Sequence, residues 1–385
     1  MVKDTSGYCF LFLEIFECEG GIQSYIRDVL AAYLSLDDLP AADVLLLRDG
    51  PTCENPFRSS PLRFHYAKMR WPKLGRIRLV MSLVKTLLVR RPQRVLCGHI
   101  RLAPLVRLLC RYLAIPYTVL TYGKEVWYPL GPAYRQALQS ADEVWTISRY
   151  SRDLLCQANQ INPSQVKLLP CVVDGAVFTP GQKAVDWVER YGLQDSKVLM
   201  TVARLWSGDI YKGVDVTIRA LPAIAQKFPN VKYLVVGRGN DQPRLARLAE
   251  TLNVADRVVF AGFVPTEALV AHYRLADAYI MPSQEGFGIV YLEAMACGVP
   301  VLSGDDDGSA DPLQDGRLGW RVPHRDPDAV ATACIEILTG SDRRCNGTWL
   351  RQESLAYFSQ AALAKRLGEL LPMEQPKALS ITVNP

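Results

Sequence analysis

The sequence predicts an α/β chain with two parallel sheets in tandem, each covered by helices on both faces. Three observations carry this. Strand-like apolar runs alternate with helix-like runs along the whole chain, the pattern that β-then-α connections impose on a parallel sheet. A segment with Pro, Gly and polar residues and weak periodicity, 174–186, interrupts the alternation near the middle. At 385 residues the chain is also too long for one ordinary core.

The first series begins with CFLFLEI as strand, a glycine pair, and GIQSYIRDVLAAYLSL as helix. ADVLLL reads as strand, RIRLVMSLVKTLLVRR as helix, RVLCGH as strand, VRLLCRYLA as helix and IPYTVLTYG as strand. AYRQALQSA, EVWTIS, RYSRDLLCQAN and VKLLPCVV continue as helix, strand, helix and strand. Beyond the link, SKVLMTVAR, VKYLVVG, RVVFAGF, AYIMPS, VPVLSG and LGWRV are the strands. VTIRALPAIAQKF, PRLARLAETLN, EALVAHYRLA and IVYLEAMACG are the helices between them, and AVATACIEILTG opens a helical end. The expected division is a Rossmann-like domain over 1–178, a linker over 179–190, a second Rossmann-like domain over 191–355, and a terminal helix with a frayed tail over 356–385.

Apolar residues make up 49% and charged residues 22%, which is ordinary globular composition. No run approaches the ~18 apolar residues of a spanning helix. The start lacks a strong basic leader and a cleavage site, so CFLFL is expected to be a buried strand and not a signal segment. Ten cysteines form no Cys-x-x-Cys pair and mostly sit in apolar runs. That points to reduced, buried thiols and a cytoplasmic setting, without a zinc site or disulfide frame. The net charge of +5 hides an asymmetry. Between Glu54 and Glu125 there are fifteen Lys and Arg and no acidic residue, leaving 29 basic against 39 acidic residues elsewhere. Apolar side chains interleave with these cations, as in AKMRWPKLGRIRLVMSLVKTLLVRR. Such a basic amphipathic surface suits anionic lipid or a phosphorylated polymer; a solvated face over a buried stripe is the plainer alternative. No nucleic-acid motif accompanies the charge, so nucleic acid is not an expected partner.

Ligands of open parallel sheets bind beyond the carboxyl ends of the strands. That rule selects Glu19-Gly20-Gly21, Gly98-His99, Tyr122 to Glu125, Arg204 to Gly213, Gly237 to Gly239, Phe263 to Pro265, Ser283 to Gly288 and Gly304 to Ser309. Gly20 and Gly21 open a helix directly after a strand, where free N–H groups attract phosphate; a tight turn that needs glycine explains them equally. Arg204 ends a strand and Lys212 precedes a helix, a placement in which two cations can hold a diphosphate. The stretch EGFGIVYLEAMACG carries Glu285 and Glu293 eight apart in an otherwise apolar segment. Taken alone, these two carboxylates also fit a simple helix start.

With ARL and YKG around Arg204 and Lys212, YLVVGRG, RVVFAGFVP, PSQEGFGIVYLEAMACGVPVL and DPLQDGRLG, the chain resembles the retaining glycosyltransferase family 4. Weaker matches, GGIQSY, ADEVWTIS followed by RYSR, and LLPCVVD, extend the likeness to nearly the whole chain in the right order. The resemblance implies the GT-B fold, with two Rossmann-like domains facing across a cleft. It implies that Glu285 faces the donor sugar, that Glu293 holds the ribose, and that the backbone of Phe287, Gly288 and Ile289 meets the sugar and diphosphate. Arg204 and Lys212 would neutralise the leaving diphosphate, so no metal and no cofactor are expected beyond the nucleotide diphosphate sugar as co-substrate. Val264 would meet the base through its backbone.

The sequence departs from the family pattern in three places. Tyr122, in Tyr122-Gly123-Lys124-Glu125, stands where the family usually has histidine, which leaves Tyr122 and His99 as the sugar-side or acceptor-side candidates. Arg204 and Lys212 are eight apart, a longer loop than in many members, and Asp305-Asp306-Asp307 is unusually acidic beside an anion. The expected activity is retaining, metal-independent transfer of a hexose from a UDP- or GDP-sugar to a lipid-linked or polysaccharide acceptor. The expected place is cytoplasmic, peripheral on the inner face of an anionic membrane. The alternatives are a soluble transferase for a small or phosphorylated acceptor, a GT-B epimerase or phosphorylase, and a catalytically inactive GT-B scaffold.

Overall fold

The computed structural model describes residues 7–18, 20–37 and 41–371; Glu19 and the polar tail expected to fray lie outside them. By packing, the chain forms two units: Met1–Thr121, Gly131–Trp145 and Gln360–Pro385 in one, Tyr122–Leu130 and Thr146–Ser359 in the other.

In chain order the first series is β1 (Tyr8–Phe12), α1 (Gly21–Leu34), β2 (Asp43–Leu46), β3 (Arg63–Tyr66), α2 (Pro72–Val89), β4 (Arg94–Cys97), α3 (Ala103–Leu113), β5 (Tyr117–Thr121), α4 (Pro132–Gln139), β6 (Glu143–Thr146), α5 (Arg149–Asn159) and β7 (Val166–Leu168). The strands lie in the order β3-β2-β1-β4-β5-β6-β7. β1 pairs in parallel with both β2 and β4, so the strand order reverses between β1 and β4. β1, β2 and β5 are buried at every residue, as strands covered on both faces must be. β3 was not expected as a strand. Its sequence, RFHY, is polar because it is an edge strand, half-buried throughout. Arg63 and His65 on β3 both bind the buried Asp43 of β2, at 2.9 and 2.7 Å.

The outer face of α2 carries Lys73, Leu74, Arg76, Ile77, Arg78, Met81, Lys85 and Leu88, all exposed, while Gly75, Leu79, Leu83, Thr86 and Leu87 face inward. The helix therefore packs one apolar stripe and presents a second one outward between cations.

The second series is α6 (Val185–Arg190), β8 (Lys197–Val202), α7 (Val214–Lys227), β9 (Val231–Val236), α8 (Gln242–Thr251), β10 (Val258–Gly262), α9 (Thr266–Tyr273), β11 (Ala278–Met281), α10 (Ile289–Ala296), β12 (Val301–Gly304), β13 (Trp320–Val322), α11 (Pro327–Thr339) and α12 (Gly347–Phe358). Its sheet is parallel, in the order β10-β9-β8-β11-β12-β13. The order reverses between β8 and β11, which are paired. The last helix, α13 (Gln360–Leu370), belongs to the first unit and packs on α1. α6 occupies part of the stretch expected as link. No helix among the described residues is long and apolar enough to cross a membrane.

Candidate functional site

The second unit brings Arg204, Lys212 and Glu285 together. Arg204 follows β8, Lys212 precedes α7, and Glu285 follows β11, so all three stand at the carboxyl side of the strands where the order reverses. A sheet of this topology opens its crevice at that point. The Glu285 carboxylate receives the Lys212 ammonium in an ion pair with both side chains largely buried. Burial works against the charge on Lys212, but Glu285, Tyr211 and Asp209 outweigh it and its pKa is raised. Arg204 is exposed and pairs with Asp209 at 3.2 Å. Arg204, Asp209 and Lys212 line one concavity with Trp206, Asp241 and Arg244.

Glycines set these loops. Gly213 has φ 75°, and a Cβ there would stand 2.4 Å from the Pro282 carbonyl oxygen. Only glycine lets α7 start this close to the end of β11, which puts Lys212 beside Glu285. The Gln284 N–H donates to the Tyr211 carbonyl at 3.1 Å and ties the two loops together.

Below Glu285, Gly308 packs its Cα on the Gly286 carbonyl, where a Cβ would come within 2.0 Å. The Gly308 N–H donates to the Glu285 carbonyl at 2.8 Å, and the Glu285 N–H donates to Asp307 at 2.7 Å. Asp307 also accepts the Ser309 N–H at 2.8 Å. Burial pushes its pKa up to about 7 against these donors. Asp307 is thus a buttress for the Glu285 loop; among the described residues, no group of three His, Cys, Asp or Glu is arranged to hold a metal ion.

Glu293 lies on α10, half-buried, and accepts the Tyr273 hydroxyl at 2.6 Å. Burial raises its pKa, and Tyr273 opposes that. Gly288, at φ 89°, caps α10. Phe287, Gly288 and Ile289 therefore sit at an open first turn, where N–H groups have no intrahelical partner. The Phe287 ring itself is core, edge-on to Phe358 at 5.8 Å. Val264 lies half-buried in the loop after β10, beside an Arg238 guanidinium stacked on Phe263 at 4.7 Å.

The segment 122–130 packs with this unit. Tyr122 is buried, and its N–H donates to the Glu125 carboxylate at 2.5 Å. Gly286 lies against it: a Cβ on Gly286 would come 3.1 Å from the Tyr122 carbonyl oxygen. Ser148 donates to the Gly286 carbonyl at 2.5 Å. Lys124 was not singled out from the sequence, yet its ammonium lies 3.3 Å over the Tyr211 ring. The only signal was its place in a strand-end loop.

Gly20, Gly21 and His99 belong to the first unit and follow β1 and β4, the strands that flank its own order reversal. The backbone of Gly20 is extended, and a Cβ on Gly21 would meet nothing within 4 Å. A tight turn does not account for either glycine. His99 accepts the Arg101 N–H on Nδ1 at 3.0 Å, capping the turn that leads to α3. Burial, with Arg101 and Arg48 nearby, lowers its pKa to about 4, so the ring is neutral at pH 7.

The family described as "Glycosyl transferases group 1" matches residues 196–340. The chain is 38% identical over 266 residues, 65% of its length and 68% of the relative's, to a GDP-mannose-dependent alpha-(1-6)-phosphatidylinositol monomannoside mannosyltransferase of Mycolicibacterium smegmatis. It is 27% identical over 372 residues, 92% of its length and 95% of the relative's, to a GDP-mannose-dependent monoacylated alpha-(1-6)-phosphatidylinositol monomannoside mannosyltransferase of Corynebacterium glutamicum. Its fold matches Anabaena HepE in complex with UDP at a TM-score of 0.76, with 18% identity, over 94% of this chain and 99% of that one.

Proposed function

Because the chain belongs to the group 1 glycosyl transferases, we propose that it moves a mannosyl group from GDP-mannose to a glycolipid acceptor, with retention of configuration and without a divalent metal. The observation that carries this is the meeting of Arg204, Lys212 and Glu285 where the second sheet reverses its order. Two cations there match a leaving diphosphate, and a carboxylate beside them matches the hydroxyls of a sugar. Stabilising the departing charge is commonly the largest catalytic contribution in such a transfer. The choice of donor and acceptor rests on the names of the relatives, both mannosyltransferases dependent on GDP-mannose and acting on phosphatidylinositol mannosides.

Glu285 takes the sugar hydroxyls in this reading and Glu293 takes the ribose. The first-turn N–H groups of Phe287, Gly288 and Ile289 meet the sugar and diphosphate, and the backbone of Val264 meets the base. In the first unit, the backbone N–H groups of Gly20 and Gly21 at the start of α1 suit a phosphate group. Tyr122 is buried with its N–H turned onto Glu125, so its part is to shape the loop. His99 is engaged as a cap, and its part is likewise structural. The outward face of α2, apolar between cations, is the surface on which an anionic membrane would be met.

The test is a panel of GDP- and UDP-sugars offered with a phosphatidylinositol mannoside, the product being analysed by mass and by anomeric configuration. Transfer from GDP-mannose with the α-configuration kept, undiminished by a chelator, is the expected result. Inversion at the anomeric carbon, or complete loss restored by a divalent ion, would overturn the charge-clamp mechanism. Turnover of a UDP-sugar alone would overturn the donor.

A further inference from the structure

We infer that Lys124 is a third cation of the donor-diphosphate site, a role that rests on the nucleotide-sugar reading above. The other two cations each have a carboxylate, Arg204 with Asp209 at 3.2 Å and Lys212 with Glu285. Among the described residues no carboxylate lies within ion-pair distance of Lys124. Its ammonium rests on the face of Tyr211 at 3.3 Å, and Lys212 lies 5.3 Å from the centre of the same ring. An aromatic face attracts a cation but does not neutralise it. Lys124 is exposed, so its charge remains available to a ligand.

The chain around Lys124 is built to hold it there. Glu125 turns its carboxylate back onto the Tyr122 N–H and is itself substantially buried, which leaves Lys124 facing outward. Gly123, at φ 147°, runs close to Gly286, and a Cβ on it would lie 3.9 Å from the Gly286 Cα. Tyr211, the plate under Lys124, is fastened to the Glu285 loop through its carbonyl. Partial burial disfavours the charge on Lys124, and Lys212 and Arg204 disfavour it further, although Asp209 and Glu285 act the other way. Three cations therefore share one small region with two carboxylates, and the net positive charge attracts an anion of the diphosphate class.

The test uses the full chain and the nucleoside diphosphate, GDP or UDP, that the parent protein binds, measured by calorimetry beside the bare nucleoside. Lys124→Gln is expected to weaken the diphosphate about tenfold, to leave nucleoside affinity and thermal midpoint unchanged, and to lower kcat/KM in parallel. Lys124→Arg is expected to recover most of the loss. Lys212→Gln is the reference. If Lys212→Gln weakens the diphosphate and Lys124→Gln does not, Lys124 is no phosphate ligand and the inference fails alone. If neither variant changes diphosphate affinity, the diphosphate reading of the site fails with it. Equal loss of nucleoside and diphosphate affinity in Lys124→Gln would assign the lysine to the shape of its loop and overturn the inference.

Discussion

Glu285 and Glu293 stand eight residues apart, and their surroundings separate their roles. Glu285 is bound to Lys212 at the mouth of the site, whereas Glu293 sits on α10 with the Tyr273 hydroxyl on its carboxylate. Glu285→Ala is expected to lower turnover about 100-fold or more while nucleotide affinity changes little. Glu293→Ala is expected to weaken the nucleotide first; steady-state kinetics beside binding isotherms separate the two. Equal loss in both variants, tracking thermal midpoint, would reduce the carboxylates to props of the helix start. Asp307 supplies a pH dependence. Burial raises its pKa to about 7 from an ordinary 3.8. The folded protein therefore holds a proton that the unfolded chain has lost, and this contribution to stability is full below about pH 4. It declines as pH rises toward 7, by at most about 1.4 kcal/mol per pH unit, and is flat above. Denaturant midpoints between pH 4 and 8 should show this slope in the parent and lose it in Asp307→Asn.

At the scale of elements, the start of α7 is where glycine is indispensable. Gly213→Ala would put a Cβ into the Pro282 carbonyl at a backbone angle that side chains avoid. A cost of about 1–3 kcal/mol is expected, together with loss of activity as Lys212 leaves Glu285; chemical denaturation and turnover measure the two parts. The long apolar strands and amphipathic helices were legible in the sequence because burial on two faces writes itself as composition. β3 was not, because an edge strand held by Arg63 and His65 on Asp43 looks like a polar loop. Asp43 records that fastening: burial opposes its charge, yet His65 and Arg63 hold its pKa down to about 2. Arg204 was legible at a strand end, Lys212 beside Gly213 at a helix start, and Glu285 beside Gly286 in a loop after a strand. Lys124 was not, because its partner is the face of a tyrosine more than eighty residues away and no local spacing encodes that contact.

For the whole molecule, charge is the organising quantity. The acid-free stretch includes α2, whose outer face exposes Leu74, Ile77, Met81 and Leu88, with Trp71 66% exposed just before the helix. Leu79, in the same apolar run, is 2% exposed and belongs to the core under the helix. Reversing Lys73, Arg76 and Arg78 together to Glu is expected to release the protein from anionic vesicles, since each cation near such a surface contributes about 1 kcal/mol within a Debye length. Slow donor hydrolysis in solution should survive. Cosedimentation with vesicles of neutral and anionic lipid, at two salt concentrations, decides the matter. Equal binding to both would leave α2 as a solvated face.

The packing of α13 on α1 also orders events during synthesis. Leu363, Leu367 and Leu370 are buried, and Gln360 donates to Asp28 on α1 at 2.8 Å. The wall of the first unit is therefore finished by residues that leave the ribosome more than three hundred positions after α1. Until then α1 waits with part of its apolar side uncovered, while nearly all of the second unit has already been made. A chain stopped after Ser359 should keep the second unit protected from limited proteolysis and should be cut early around α1. Supplying residues 360–371 as a separate peptide should restore that protection, and failure to do so would mean that α1 is secured without its late partner.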